Sequence, residues 1–216
     1  MAKPKIAFYW CASCGGCEEA VVDLAETVLK VVEAVDIVFW PCAMDFKKTD
    51  VEAMPDGSIA ATFINGAVNS DEQEEMVHML RKKSQLVIAF GACSHLGGIP
   101  ALANLTTKDA LVRSSYLEGP TNVNPNKTVP LAKSPTKDGE LHLPVLKDYA
   151  LALDQVTDVD YYIPGCTVPV KLIVDAVMAI LEGKLPPKGS VLAPNRTNCD
   201  TCDRNKTKPE KISISK

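Results

Sequence analysis

The sequence predicts an α/β protein built on an open, doubly wound parallel sheet, and two observations carry that expectation. Short β-prone runs alternate with segments whose apolar residues recur at helical spacing. Loops rich in glycine and cysteine directly follow three of the expected strands. Parallel neighbours need crossover connections, normally helical, so this alternation is what a parallel sheet requires.

The elements follow in order. Residues 5–10 (Lys-Ile-Ala-Phe-Tyr-Trp) read as the first strand and run into Cys11-Ala-Ser-Cys14-Gly-Gly-Cys17. Val21, Leu24, Ala25, Val28, Val31, Val32 and Val35 then predict a helix. Residues 36–40 and 58–64 are the second and third strands, and Ser70-Asp-Glu-Gln73 has the reciprocal capping pattern that opens a helix to Lys83. Residues 85–90 form a buried strand ending at Gly91-Ala-Cys93-Ser-His-Leu-Gly-Gly98. Between 105 and 155, Pro120, Pro125, Pro130, Pro135 and Pro144 predict a surface insertion, mostly loop, with helical pieces at 107–118 and 146–155. Residues 159–163 give the last strand, followed by Pro164-Gly-Cys166-Thr-Val-Pro169 and a helix to Glu182 that Gly183 caps. Beyond Pro186-Pro187 the periodicity fades and the chain turns polar around Asn198-Cys-Asp-Thr-Cys-Asp203. The expectation is a flavodoxin-like domain over 1–186 and the start of an irregular, cysteine-bearing extension over 187–216.

Composition narrows the function. The 216 residues carry 23 Lys and Arg against 27 Asp and Glu, a net charge of −4, so no basic surplus draws in nucleic acid. No apolar run reaches the roughly 18 to 20 residues of a membrane span, and the first apolar stretch is too short for a secretory signal. A cytoplasmic location is expected. Eight cysteines, at 11, 14, 17, 42, 93, 166, 199 and 202, then need a use other than structural disulfides, and thiolate ligation of metal leads.

In such a sheet the loops after the carboxyl ends of the strands share one edge, where ligands bind. Cys11 to Cys17, Cys93 and Cys166 each follow a strand, so three cysteine loops converge on a single crevice. Four or five soft thiolates select zinc, copper(I) or an iron-sulfur cluster. One Cys-x-x-Cys joined by two distant lone cysteines suits a cubane better than the paired knuckles of structural zinc. Glycines at 15, 16, 91, 97, 98 and 165 let backbone approach closely and turn N–H groups toward the sulfurs. The bacterial ferredoxin pattern fails, because Val21 and Val22 stand where its fourth cysteine and proline belong.

Trp10-x-x-x-Cys14-x-Gly-Cys17-Glu18, Gly91-x-Cys93-x-x-x-Gly-Gly-Ile-Pro100 and Ile163-Pro-Gly-Cys166-x-x-Pro169 together resemble the small subunit of nickel-iron hydrogenases. The resemblance is to the cytoplasmic, methyl-viologen-reducing, deazaflavin-nonreducing group that partners heterodisulfide reductase. It implies that Cys14, Cys17, Cys93 and Cys166 bind a 4Fe-4S cluster proximal to the nickel-iron centre of a separate large subunit. It also implies a 2Fe-2S adaptor subunit and a heterodisulfide reductase-type complex as further partners. Oxygen-tolerant relatives carry extra cysteines where this chain has Gly16 and Gly98, so an ordinary four-cysteine cubane in an oxygen-sensitive enzyme is expected. The alternatives are the cluster-bearing subunit of a complex I-like oxidoreductase, whose relatives have adjacent paired cysteines where Gly16 stands here, and a zinc-stabilised interaction module.

Other residues have plainer readings. Glu18 opens a helix, where the dipole favours a carboxylate anyway; the resemblance makes it a candidate for proton transfer, and the two readings stand level. Cys11 either lines the pocket or packs. Cys42, after Trp40-Pro41, is expected to be a buried small apolar residue, and His95 a satisfied structural histidine. Met76 and His78 read as ordinary helix-face residues, and Lys206, Lys208 and Lys211 as a solvated tail. Cys199 and Cys202 supply two ligands toward a possible second cluster and need partners from elsewhere. The resembling proteins continue into a tail with further 4Fe-4S clusters, so a continuation past Lys216 is expected.

Overall fold

Three consecutive buried side chains, Ile6, Ala7 and Phe8, show that β1 (Lys5–Trp10) is covered on both faces. In the computed structural model, which describes residues 3–197 and 199–207, α1 (Gly16–Val22), α2 (Thr27–Ala34), β2 (Asp36–Phe39), α3 (Lys48–Glu52), β3 (Ile59–Asn65), β4 (Val68–Ser70), α4 (Asp71–Lys83) and β5 (Ser84–Phe90) follow. Then come α5 (Ala92–Leu96), α6 (Lys108–Val112), β6 (Lys133–Thr136), β7 (Gly139–His142), β8 (Leu146–Leu151), β9 (Tyr161–Ile163) and α7 (Val170–Glu182). The main sheet has the order β2-β1-β3-β5-β9, every pair parallel. Taken along the chain this is the 2-1-3-4-5 winding of the flavodoxin-like fold.

Alternate side chains of the strands feed two cores. On one face Phe8, Phe63, Phe90 and Ile163 meet Ala20 and Val21 of α1 and Ile173 and Val177 of α7. Phe8 stacks on Phe63 at 5.1 Å between ring centroids and leans on Trp40 at 4.7 Å. On the other face Ala7, Ile64, Val87 and Ala89 meet Met76, Val77 and Leu80 of α4. Met76 is therefore a core residue, while His78 is exposed. Ser70 caps α4 by accepting from the Gln73 N–H at 3.3 Å, and Gln73 reaches back to the Asn69 N–H at 2.9 Å.

The chain departs from expectation in several places. The single helix expected after Cys17 is two, broken at Ala25 (φ +49°). Apolar spacing could not show the break, because Val28 and Val31 of α2 still pack on the same core beyond it. Residues 146–151 form strand β8 instead of helix, and only a short 3-10 turn, Leu153–Gln155, is helical in the range 146–155. β8 pairs antiparallel with β4, and Asn104 fixes Ala150 from both sides, accepting its N–H at 2.8 Å and donating to its carbonyl at 2.9 Å. Pairing with a distant strand overrides local propensity here. β6 and β7 add an exposed hairpin inside the insertion that the prolines concealed.

The chain beyond Pro187 runs beside β9: Gly189 N–H donates to Asp160 O at 2.8 Å, Tyr162 N–H to Ser190 O at 3.2 Å, and Leu192 N–H to Tyr162 O at 2.7 Å. Asp160 locks this edge, since its carboxylate accepts from Arg81 and Lys188 at 2.6 Å each and from the Val87 N–H at 2.8 Å. Lys206 is exposed, and Asn198, Lys208 and Lys211 lie outside the described residues. Among the described residues no helix is long and apolar enough to cross a membrane.

Candidate metal centre

Three loops leave the carboxyl ends of β1, β5 and β9, and their backbones interlock. Gly91 N–H donates to Ile163 O and Ala92 N–H to Gly165 O, both at 2.8 Å, tying the Cys93 loop to the Cys166 loop. The first loop meets the third at Gly16, where an added Cβ would lie 2.5 Å from Thr167 Cγ2. Sulfur fills the space beside two further glycines. A methyl at Gly91 would run into Cys17 Sγ, and one at Gly98 would lie 2.9 Å from Cys93 Sγ. Gly16 and Gly98 are thus places where side chains do not fit without displacement.

The thiols of these loops act on one another. Burial raises the Cys17 pKa, a Val168 N–H opposes it, and Cys93, Cys14 and Cys166 raise it further. Cys93 is raised by burial, opposed by an Ile99 N–H, and raised again by Cys166 and Cys14. Gly16 N–H also points to Cys14 Sγ at 3.5 Å. Four sulfurs drawn from three loops therefore share one electrostatic neighbourhood, and Cys14 accepts a backbone N–H. Cys17 is buried, Cys93 half-buried, and Cys14 and Cys166 exposed, so the group opens outward. Trp10 and Val22 line an open hollow beside Cys14, and the segment that follows Cys93 carries further exposed apolar side chains, Leu96 (72% exposed), Ile99, Leu102 and Leu105 (86%). Among the described residues no three or more His, Cys, Asp or Glu side chains are grouped to hold a metal ion.

The remaining candidates separate. Cys11 is buried among Phe39, Val51 and Ile64 in the second core, where burial first and the Glu18 charge second push its thiol far up, so it packs. Glu18 is buried, accepting from Trp40 Nε1 at 2.6 Å and Asn65 Nδ2 at 3.0 Å. Cys42 is not the buried apolar residue expected. Trp40 takes the core position, leaving Cys42 exposed on an open hollow of about 370 Å³ shared with Trp10, Cys14 and Glu18. Its thiol is pushed up to about 12 by desolvation and by its hydrogen bond to Glu18. His95 lies against Tyr162 at 4.5 Å between centroids, yet its buried Nδ1 finds no partner among the described residues, so it packs without being satisfied. Cys199 and Cys202 are exposed, joined by a 3.3 Å backbone bond, and do not figure among the thiols acting on Cys17 or Cys93. Sequence reasoning missed Asn65 and Trp40, which sit in a strand and after one with no motif around them.

The sequence matches the family model for the NADH ubiquinone oxidoreductase 20 Kd subunit over residues 14–180. It is 41% identical over 202 residues to the iron-sulfur subunit of the F420-non-reducing hydrogenase of Archaeoglobus profundus, covering 93% of this chain and 63% of that one. It is 32% identical over 202 residues to a chain of the vhu F420-non-reducing hydrogenase of Methanocaldococcus jannaschii, with 94% and 62% covered. The chain thus spans less than two thirds of the length of these relatives. Its structure superposes with a TM-score of 0.72 on a chain of an NAD+-reducing [NiFe]-hydrogenase, at 26% identity, over 85% of this chain and 94% of that one. An all-parallel sheet, three cysteine-bearing loops at its carboxyl edge and a match across both place the chain in the family of the 20 kDa subunit of NADH-ubiquinone oxidoreductase, to which it belongs.

Proposed function

We propose that this chain is the electron-transfer subunit of a nickel-iron hydrogenase and holds one 4Fe-4S cluster on Cys14, Cys17, Cys93 and Cys166. The observation that carries the proposal is the interlocking of three cysteine-bearing loops at the carboxyl ends of β1, β5 and β9, through Gly91 N–H to Ile163 O, Ala92 N–H to Gly165 O and the close approach of Gly16 to Thr167. The residues fit the group. The donor set is all sulfur, which selects soft metals. Gly91 and Gly98 keep side chains out of space next to Cys17 and Cys93. N–H groups of Val168 and Ile99 favour the thiolate form at Cys17 and Cys93. When bound, such a cluster takes up and gives back single electrons.

The protein's own work is to ionise and hold the ligands. Burial and mutual repulsion keep Cys17 and Cys93 protonated in the absence of a cation, so loading must release protons and strengthen as pH rises. Trp40 Nε1 and Asn65 Nδ2 each donate to Glu18, which gives that carboxylate a structural task. A proton-passing role would run on its Cys42 side, where the hollow opens.

The nickel-iron centre belongs to a separate large subunit, and the exposed apolar side chains of the segment after Cys93, from Leu96 to Leu105, are the surface it would cover. The relatives are named as F420-non-reducing, which turns the electrons toward another acceptor; a 2Fe-2S adaptor and a heterodisulfide reductase-type module fit. We assign residues 1–186 to the cluster domain and 187–216 to the start of an extension, with Cys199 and Cys202 as half of a second cluster site. A reducing, cytoplasmic setting is part of the proposal, because thiolate ligands must be kept from pairing as disulfides. The family model's description favours a complex I-like subunit as second reading; Gly16 in place of a second adjacent cysteine, and hydrogenase relatives over 93% of the chain, count against it.

The test is anaerobic purification of the complex. Broad brown absorbance with about four irons per cubane site is expected, and Cys93→Ala or Cys166→Ala should abolish hydrogen-dependent dye reduction while His142→Ala, on the exposed hairpin, leaves it intact. Colourless protein with stoichiometric zinc would overturn the proposal.

A further inference from the structure

The first cysteine loop is gripped by the segment that leaves β3. Asn65, at the end of that strand and 1% exposed, holds it at three points. Its carbonyl accepts the Cys11 N–H at 2.8 Å, its Oδ1 accepts from Ser13 Oγ at 2.9 Å, and its Nδ2 donates to Glu18 Oε1 at 3.0 Å. Ser13 and Glu18 flank the Cys14–x–x–Cys17 ligand pair on either side, so one side chain spans the pair. Ser13 Oγ in turn accepts the Gly15 N–H at 3.2 Å, carrying the restraint into the loop. Next to Asn65, Gly66 (φ +90°) runs so close that a Cβ would lie 2.6 Å from Cys11 C, and Ala67 exchanges two backbone bonds with Ala12 at 2.8 and 2.9 Å. On the far side Trp40 Nε1 fixes the second oxygen of Glu18 at 2.6 Å.

We infer that Asn65 is a positioning residue: its amide bridges Ser13 to Glu18 and so presets the loop that delivers Cys14 and Cys17 to the metal. The bridge has a direction. Ser13 donates to the amide oxygen, and the amide nitrogen donates to a carboxylate, which has no proton of its own to offer. An aspartate at 65 keeps the Ser13 bond but sets two carboxylates against each other in a buried site, which is destabilising. A glutamine at 18 then restores the contact with donor and acceptor exchanged, its oxygen still accepting from Trp40 and its nitrogen donating to the aspartate. The inference rests on the cluster reading for what the loop delivers, but the bridge itself is a property of the chain.

The test compares the wild type, Asn65→Asp, Asn65→Leu, Ser13→Ala and the double variant Asn65→Asp with Glu18→Gln, in the full-length protein purified anaerobically with its partner. One arm follows hydrogen exchange of residues 12–17 after iron removal, with α4 as internal reference. The other follows the rate at which a chelator strips iron, together with the electron paramagnetic resonance spectrum of the reduced protein. Loss of a charge-assisted bond in a buried site should speed loop exchange and iron loss by about tenfold or more in Asn65→Asp and Asn65→Leu, less in Ser13→Ala. The double variant should recover most of that loss. Unchanged loop exchange in the Asn65 variants, or a double variant no better than Asn65→Asp, would overturn the inference, as would a loosened loop with unaltered iron retention. Wild type devoid of iron at the four cysteines would instead sink the cluster proposal, while the exchange arm still decides whether the bridge orders the loop. An Asn65→Leu chain that fails to fold leaves Ser13→Ala and the double variant to decide.

Discussion

Gly91→Ala tests the packing of the thiol site most simply. Gly91 has φ +89° and ψ 166°, a region open only to glycine, and its missing side chain is where Cys17 Sγ lies. Holding a methyl-bearing residue in that conformation costs about 1–3 kcal/mol, and driving the methyl against a sulfur in a packed site adds about 1–3 kcal/mol. The sum, roughly 2–6 kcal/mol, should lower Tm by on the order of 10 °C in a chain of this size. Gly57→Ala is the control, because Gly57 also has a positive φ of +68° but nothing lies within 4 Å of its added Cβ. It should lose only the left-handed backbone penalty, about 1–2 kcal/mol. Thermal unfolding followed by far-ultraviolet circular dichroism, with iron content measured on the same samples, separates the two. Gly91→Ala should melt well below Gly57→Ala and hold less iron. Equal melting of the two variants with full iron in both would refute the reasoning that sulfur and backbone are interlocked there.

Two further predictions concern the rest of the fold. Burial would raise the Asp160 carboxyl, but Lys188, Arg81 and the Val87 N–H outweigh it and hold its pKa below the usual value. A depressed folded pKa contributes stability that is present above the unfolded pKa, about 3.9, and lost as pH falls through the folded one. Asp160→Asn should therefore cost about 2–3 kcal/mol at pH 7, discounted for the exposed Lys188, and progressively less below about pH 4; a cost independent of pH in denaturant titrations would contradict this. Ile99→Ser and Leu105→Ser, both exposed apolar positions in the segment after Cys93, should weaken copurification of a large subunit without changing the Tm of the isolated chain by more than about 1 °C, and unchanged recovery of the complex would move the interface elsewhere.

Much of this was legible because local chemistry and topology agree. Strand, glycine loop and cysteine recur three times, and in a parallel sheet every such loop must emerge at the same edge. That logic places Cys14, Cys17, Cys93 and Cys166 together from the sequence. It could not rank Cys11, because only the side alternation of β1 and its continuation sends that thiol into the core of Met76 and Leu80 rather than toward Cys17. Cys42 misled for the converse reason: a free cysteine packs well, but Trp40 was larger and took the core site. β8 was illegible because its reason to extend lies about eighty residues earlier in β4. Asn65 was hidden in an apolar strand, and its importance comes from what its amide reaches in space.

The central claim is most directly tested by diffraction at the iron absorption edge from crystals of the anaerobic protein. The account predicts one compact iron peak bounded by the sulfurs of Cys14, Cys17, Cys93 and Cys166, with Cys11 and Cys42 outside its coordination shell. A peak that Cys93 or Cys166 does not touch, one that enlists Cys11 or Cys42, or no iron at that edge would contradict it.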